Sequence, residues 1–155
     1  MTPQKKIAYV QAAWHTDITD HCKRAFVAEL AKHGYDARQI EFFSAPGSLE
    51  IPLMAKKLAK TGRYAAVCAS GFVVDGGIYR HEFVAQAVIS GLMEVQLATR
   101  VPVISAVLTP QHFHEHEDHR KFFYDHFVIK GTEAAAACAA TIDKIARLKS
   151  LSPAL

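Results

Sequence analysis

The sequence predicts an α/β fold, a three-layer α/β/α sandwich in which helices cover both faces of a doubly wound, four-stranded parallel sheet. Short, nearly continuous apolar runs alternate with longer amphipathic stretches along the chain. This is the pattern of strands buried on both faces and of the helices that cover them. The chain has 155 residues, half of them hydrophobic, which is enough for one core. We therefore expect a single domain over residues 1–155.

The first half of the chain supplies two strands and two helices. The first strand, "KIAYVQAAW" at residues 6–14, is almost continuously apolar. The helix after it, "TDITDHCKRAFVAELAKHG", can be capped by Thr16 or Asp17 and ends at Gly34. A second strand, "YDARQIEFF", is followed by a turn and a helix in "APGSLEIPLMAKKLAKTG". Pro52 is tolerated in the first turn of that helix because the N–H that proline lacks would have no partner there.

The second half repeats the alternation. The third strand is "YAAVCASGFVV", the long helix after it is "EFVAQAVISGLMEVQLAT", and the fourth strand is "VPVISAVLT". The polar, histidine-rich stretch "PQHFHEHEDHRKFFYDHF" is expected to be helical in part, and "GTEAAAACAATIDKIARLK" to form a separate last helix. Strands that alternate with helices in this way run parallel and are joined by right-handed crossovers.

Composition narrows the classes of function. No apolar run reaches the roughly 18 residues of a membrane span, and "MTPQKKIAYVQ" is too polar for a signal peptide, so we expect a cytoplasmic protein. Cys22, Cys68 and Cys138 lie far apart without a CxxC motif, which is typical of reduced thiols. The net charge is +3, without a Lys/Arg block. An anionic small molecule is therefore a better partner than nucleic acid.

Ligands of doubly wound folds bind beyond the carboxyl ends of the strands, so the residues after each strand are the candidates. Trp14, the only tryptophan, follows the first strand. Most tryptophans belong to the core, but this one could stack on a planar heterocycle. After the second strand, Ser48 can cap a helix and Glu50 falls in its first turn. Glu50 either stabilises the helix dipole, which local physics slightly favours, or accepts hydrogen bonds from ligand hydroxyls.

The other two loops carry positive or titratable groups. After the third strand, "DGGIYR" combines a glycine turn at a helix start with Arg80. Such a turn can bind an anion, although a solvated arginine is the plain alternative. After the fourth strand, "TPQHFHEHEDHR" lacks the HExxH zinc motif. We expect most of this stretch to be hydrated surface or a contact between chains, with one imidazole able to bind phosphate or move a proton.

The segments "APGSLEIP", "SGFVVDGGIYRHEFV", "PVISAVLT" and "KGTEAA" resemble, in order and spacing, the motifs of lumazine synthases, in particular the type II bacterial branch. The resemblance extends from Trp14 to the last helix and fits a flavodoxin-like doubly wound fold. It implies condensation of 5-amino-6-(D-ribitylamino)uracil with 3,4-dihydroxy-2-butanone 4-phosphate to 6,7-dimethyl-8-ribityllumazine, releasing phosphate and water. This is the penultimate step of riboflavin biosynthesis, and it needs no metal or organic cofactor.

The resemblance also implies site residues. Those for the ribitylaminouracil are Trp14, Ser48, Leu49, Glu50, Phe72, Val73, Val74 and Ser105, and those for the butanone phosphate are Gly77, Ile78 and His119. Two positions depart from the family pattern. Arg80 stands where many members have a proton-transferring histidine, and His119 where many have a phosphate-binding arginine. We infer that the roles are exchanged, so that Arg80 acts mainly electrostatically while His119 binds phosphate or moves protons.

The family forms ring-shaped pentamers with active sites between subunits, and its type II branch tends to pair two rings. A homo-oligomer, either a pentamer or a dimer of pentamers, is therefore expected, with Ser105 and His119 supplied by the neighbouring subunit. The aromatic cluster Phe122, Phe123, Tyr124 and Phe127 is interpreted as interface surface. Two alternatives remain open: a non-catalytic flavin- or lumazine-binding protein on the same scaffold, and a zinc hydrolase built on the histidine-rich stretch.

Overall fold

A computed structural model describes residues 4–74, 80–109 and 117–152 of the chain. Strands and helices alternate in the order β1 (Lys6–Ala12), α1 (Thr16–Lys32), β2 (Ile40–Ala45), α2 (Ile51–Lys60), β3 (Tyr64–Phe72), α3 (His81–Thr99), β4 (Val103–Leu108) and α4 (Glu117–Lys149). Short 3₁₀ turns, Ala37–Gln39 and Ser48–Glu50, precede β2 and α2. The predicted alternation is confirmed.

The four strands form one parallel sheet in the order β2-β1-β3-β4, which confirms the predicted α/β fold. The chain first moves from β1 outward to β2 and then crosses back to β3 on the other side of β1. The direction of winding therefore reverses between β1 and β3. In open α/β sheets a crevice forms at such a point, beyond the carboxyl ends of the strands.

Two hydrophobic layers enclose the sheet. On one face Ile7 and Tyr9 of β1 pack with α1 and α4, and on the other Ala8 and Val10 pack with α2 and α3. All four side chains are fully buried. Strand β1 is therefore covered on both faces, as its apolar run predicts.

The start of α1 differs from the prediction. Strand β1 ends at Ala12, so Trp14 belongs to the connecting loop. His15, rather than Thr16 or Asp17, occupies the N-cap in a left-handed conformation with φ of 55°. The backbone carbonyl of His15 accepts hydrogen bonds from the N–H groups of residues 18 and 19, each at 3.0 Å. No side chain caps the start of α1, where these backbone hydrogen bonds form the first turn.

Helix α4 is continuous over 33 residues, so the expectation of a separate last helix is wrong. Gly131 lies inside the helix, where α4 meets α1. A Cβ atom at this position would lie 2.3 Å from the carbonyl oxygen of Cys22 and 2.9 Å from Cβ of Ala25. Glycine is therefore required by the close approach of two helices, and it does not end the helix.

The aromatic residues of α4 divide between core and surface. Phe123 and Phe127 are buried in the layer between the sheet and α1, so their interpretation as interface surface is wrong. Phe122 is exposed and Tyr124 is half-buried. Since residues 123 and 127 are four apart, they share one face of the helix and point together into the core.

The three cysteines are unpaired and buried. Burial raises the pKa of Cys138 to about 12 and also raises the pKa of Cys22. A thiol that stays protonated at neutral pH is a weak nucleophile, so these residues are core groups.

Glu41 of β2 is the centre of a polar cluster near the amino ends of β1 and β3. Its carboxylate accepts hydrogen bonds from Lys6 Nζ at 2.5 Å, from the Arg63 guanidinium at 3.2 Å and from the Tyr64 hydroxyl. The hydrogen bond from Lys6, followed by that from Tyr64, lowers the pKa of Glu41. These contacts connect the starts of β1 and β3 to the edge strand.

Replacing Gly131 with alanine should destabilise the protein, because the added methyl collides with the Cys22 carbonyl. In an unhindered helix the same change would stabilise by roughly 1 kcal/mol, whereas overpacking costs about 1–3 kcal/mol. The expected result is a lower Tm by circular dichroism. Thr132→Ala, an exposed change one residue away, should alter stability by less than about 0.5 kcal/mol. A Gly131→Ala protein as stable as the parent would contradict the close approach of α1 and α4.

Glu41→Gln should lower Tm at neutral pH and have less effect in acid. A carboxylate with a lowered folded-state pKa contributes stability above its unfolded pKa and loses it as the pH falls through the folded value. The Tm difference from the parent should therefore shrink below about pH 4. Thermal melts from pH 7 to pH 3 measure this, with Glu133→Gln on the exposed face of α4 as the control. A Tm difference that is constant across this range would contradict the charge effect.

Candidate functional site

An open groove of about 600 Å³ lies beyond the carboxyl ends of β1, β2 and β3. This volume is within the range of small-molecule sites. The described residues that line the groove are Trp14, Pro46, Gly47, Ser48, Leu49, Glu50, Phe72, Val73 and Val84. The structure thus brings together six of the eight residues that the family resemblance implies for one ligand.

The β1–α1 loop presents Trp14 to solvent. The side chain is 55% exposed, so Trp14 is not the core aromatic that is the usual role of a tryptophan. The loop is tied to β2 by the hydrogen bond from Ala13 N–H to the carbonyl of Ala45, at 2.8 Å. The indole lies beside Gly47, where a Cβ atom would come within 3.7 Å of the ring. Trp14 is therefore held at one edge but keeps an accessible ring surface.

The β2–α2 turn places a buried hydroxyl beside an exposed carboxylate. Ser48 is buried, and its Oγ lies so close to Gly71 of β3 that a Cβ there would be 3.1 Å away. Glu50 is exposed and occupies the N-cap of α2 without a side-chain capping hydrogen bond. Ser48 therefore does not cap α2, and the Glu50 side chain does not cap it either. The Glu50 carboxylate lines the groove, where it can accept hydrogen bonds from a ligand.

The end of β3 joins the groove to the core. Phe72, Val73 and Val74 are all buried, with Val73 on the α2/α3 face and the other two on the α1/α4 face. The Phe72 ring centroid is 4.9 Å from that of Phe123 and 5.4 Å from that of Phe127. Phe72 and Val73 line the groove, and Val74 is not among its lining residues. The floor of the groove is therefore apolar and anchored in the buried core.

The predicted anion-binding residues are less completely described. Arg80 is exposed at the N-cap of α3, with its guanidinium carbon 5.7 Å from the centroid of the Phe83 ring. Gly77 and Ile78 lie outside the described residues. The backbone of His119 belongs to the first turn of α4, and its side chain also lies outside the described part. The exchange of roles between Arg80 and His119 therefore stays a prediction.

Ser105 lies away from the groove. It is half-buried on β4, opposite Ala69 of β3, and its Oγ accepts a hydrogen bond from the Val107 N–H at 3.3 Å. It is not among the described residues that line the groove.

Sequence reasoning missed Pro46, Gly47 and Val84. The first two stand inside the motif that identified the turn, next to the residues that were assigned. Val84 lies one turn into α3 and could have been found only from the packing of α3 beside α2.

No metal site is visible in residues 4–74, 80–109 and 117–152, where no group of three or more His, Cys, Asp or Glu side chains could hold an ion. The hypothesis of a zinc hydrolase stays untested, because the described ranges leave out His112, His114 and His116. Within the same ranges no helix has the length and apolar content needed to cross a membrane.

The described groups suit the recognition of a planar ring with a hydroxylated substituent. An exposed indole can stack on a heterocycle, and a carboxylate can accept hydrogen bonds from several hydroxyls. The start of α3, with Arg80 at its N-cap, adds the positive end of a helix dipole and a guanidinium, both suited to an anion.

Comparison with known proteins gives a consistent result. Residues 4–146 match the family model described as 6,7-dimethyl-8-ribityllumazine synthase. A protein of Pseudomonas syringae pv. tomato named 6,7-dimethyl-8-ribityllumazine synthase 2 is 57% identical over 96% of this chain and 88% of its own. The 6,7-dimethyl-8-ribityllumazine synthase of Rhodococcus erythropolis is 55% identical over 93% of both chains. A protein of Caulobacter vibrioides named 6,7-dimethyl-8-ribityllumazine synthase 1 is 34% identical over 93% of this chain and 92% of its own.

Proposed function

Because the chain belongs to the 6,7-dimethyl-8-ribityllumazine synthase family, we propose that the groove beside Trp14 is where it condenses 5-amino-6-(D-ribitylamino)uracil with 3,4-dihydroxy-2-butanone 4-phosphate. The product is 6,7-dimethyl-8-ribityllumazine, the immediate precursor of riboflavin. The observation that carries this proposal is the convergence of the exposed indole, the Glu50 carboxylate and the end of β3 on one groove at the point where the sheet reverses.

The ribitylaminouracil occupies the described part of the groove. Trp14 stacks on the pyrimidine, and Glu50 accepts hydrogen bonds from the ribityl hydroxyls. The turn of Ser48 and Leu49 lines the same substrate, and the backbone after Phe72 faces the pyrimidine edge. Support comes from the exposure of Trp14 and from the absence of a capping hydrogen bond at Glu50, since both side chains are then available to a ligand.

The phosphate of the second substrate binds near the start of α3. Gly77 and Ile78 supply backbone N–H groups, Arg80 supplies positive charge, and His119 binds the phosphate or moves a proton. The 19-residue length of α3 and the N-cap position of Arg80 support this assignment, because both the helix dipole and the guanidinium favour an anion at that end.

The reaction requires orientation and proton transfer rather than a protein nucleophile. The uracil amine attacks the ketone to give an imine with loss of water. Phosphate is then eliminated, the resulting enol rearranges, and ring closure releases a second water. Holding the two substrates in contact and stabilising the departing phosphate can supply most of the rate enhancement. The raised pKa of the buried cysteines fits this picture.

Members of this family assemble into oligomers, and we propose a pentamer or a dimer of pentamers for this chain. Support comes from large apolar side chains that are exposed in the single chain. Leu49 and Leu53 lie beside the groove on the α2 side, and Ile89, Met93 and Leu97 recur every fourth residue along α3. In the proposed assembly Trp14, Glu50 and Arg80 come from one subunit, and Ser105 and His119 from its neighbour. We place the protein in the cytoplasm, which its free thiols favour.

A direct assay tests the proposed function. The purified chain is mixed with both substrates, and formation of the fluorescent lumazine is followed with time. Enzymatic formation of the product would support the proposal. Binding of ribitylaminouracil without turnover would instead identify a non-catalytic binding protein.

Trp14→Ala should raise KM for ribitylaminouracil by roughly 10-fold to 100-fold, because stacking of a base on an aromatic ring contributes about 1–3 kcal/mol. Tm should change little, since more than half of the side chain is already exposed. Steady-state kinetics with the butanone phosphate at saturation measures the effect, and Trp14→Phe should retain most of the affinity. An unchanged KM together with a lower Tm would show that Trp14 is structural.

Arg80→Ala and His119→Ala should each lower turnover strongly, by roughly 100-fold where preorganised charge stabilisation is lost. If the two residues meet across a subunit interface, co-refolding equal amounts of both variants should restore about a quarter of the parent activity. In a random ring, about one interface in four combines two intact halves. Light scattering checks that mixed rings have formed. Mixed rings without recovered activity would place both residues in one subunit.

A further inference from the structure

The start of α1 and the start of α4 are joined by side chains to which the proposed chemistry assigns no role. The Asp17 carboxylate forms an ion pair with Arg120 and accepts a hydrogen bond from the Tyr124 hydroxyl at 3.0 Å. The ring of His21 lies 4.8 Å from that of Tyr124. We call these four residues, Asp17, His21, Arg120 and Tyr124, the clasp.

Helical spacing explains the clasp. Asp17 and His21 are four residues apart on α1, and Arg120 and Tyr124 are four residues apart on α4, so each pair occupies one face of its helix. Asp17 also lies in the first turn of α1, where the helix dipole favours a carboxylate. The two faces therefore meet where both helices begin.

The clasp is close in sequence to one residue of each half of the proposed site. Asp17 follows Trp14 by three residues, and Arg120 is next to His119 in the first turn of α4. On the inner side of the same turns, Phe123 packs on Phe72, which lines the groove. The start of α4 is thus held by an aromatic contact from inside and by the clasp from outside.

The ion pair of the clasp and the aromatic contact beneath it differ in how much they contribute to stability. The Asp17 and Arg120 side chains are 47% and 27% exposed, and exposed ion pairs contribute at most about 1 kcal/mol to stability. Complete burial of an aromatic side chain such as Phe127 contributes several times as much. The aromatic residues therefore keep α4 folded on the sheet, and loss of the clasp should shift the first turn of α4 without unfolding the protein.

We propose that Asp17 is a positioning residue that holds the first turn of α4, and with it His119, in place for the phosphate substrate. This inference rests on the proposed function. In this arrangement Arg120 acts as a tether, and its charge is balanced by Asp17 rather than by the substrate phosphate.

Substitution of Asp17 tests whether it positions the first turn of α4. Asp17→Asn keeps the size of the side chain and removes its charge. It should raise KM for the butanone phosphate or lower kcat by about 10-fold or more, since a displacement of about 1 Å can cost about 100-fold in rate. KM for ribitylaminouracil should stay at the parent value. Tyr124→Phe should give a smaller effect in the same direction, and Asp17→Glu should restore part of the loss.

A matched control lies on α4, one residue beyond Tyr124. Lys121 and Asp125 form an exposed ion pair at 3.8 Å, and Asp125→Asn should behave like the parent. Parent-like kinetics for Asp17→Asn would overturn the proposal. A lower KM for the butanone phosphate would also overturn it, because Arg120 released from Asp17 would then be binding the phosphate directly. Equal losses for both substrates with a lower Tm would reduce Asp17 to a structural residue.

Hydrogen exchange separates this proposal from the proposed function. Amide exchange in residues 117–125, followed by mass spectrometry, should be faster in Asp17→Asn than in both the parent and Asp125→Asn. Unchanged exchange would refute the clasp as a tether. A parent protein that makes no lumazine would refute the proposed function, and the exchange rates alone would then decide whether Asp17 orders the start of α4.

Discussion

The packing of Phe72 is the contact on which both the core and the groove depend. Its ring lies at the last residue of β3 and contacts Phe123 and Phe127 of α4. The His15 ring approaches it edge-on at 5.7 Å. One side chain therefore packs against α4, contacts the loop that follows Trp14 and contributes to the floor of the groove. The strand end cannot shift toward a ligand without disturbing the aromatic packing beneath it.

The loop above Phe72 contains local strain. A left-handed backbone conformation at a non-glycine residue such as His15 costs roughly 1–3 kcal/mol and persists only where the surroundings enforce it. Here the Ala13 hydrogen bond to β2 and the start of α1 enforce it on either side. The left-handed residue directly follows Trp14, whose indole lies outside the core.

Local sequence patterns were sufficient to predict the sheet and much of the groove lining. Buried parallel strands are continuously apolar, and their carboxyl ends meet at one edge, so Trp14 and Glu50 could be placed near one another from the order of the strands. Phe72 was assigned through the family resemblance. The features that the sequence analysis predicted wrongly depend on tertiary packing. Gly131 was interpreted as part of a boundary between two segments because its reason, a helix-to-helix contact with Cys22, involves residues more than a hundred positions apart. Phe123 was taken for interface surface because it belongs to a cluster of aromatic residues that supplies more apolar surface than one small core needs.

The two halves of the proposed site are built by different means, and this has a consequence for assembly. The uracil half rests on buried strands and on a turn tied to β2, so a single chain can preorganise it. The phosphate half begins at helix starts, where Arg80 is exposed and the turn carrying His119 is held by an exposed ion pair. Charges at such positions are screened by water and bind an anion weakly.

A neighbouring subunit packed over the groove would exclude that water and strengthen every charge interaction inside the groove. It would also cover Leu49 and Phe83, which are 58% and 62% exposed in the single chain. Oligomerisation and a strong phosphate site thus become parts of the same physical requirement.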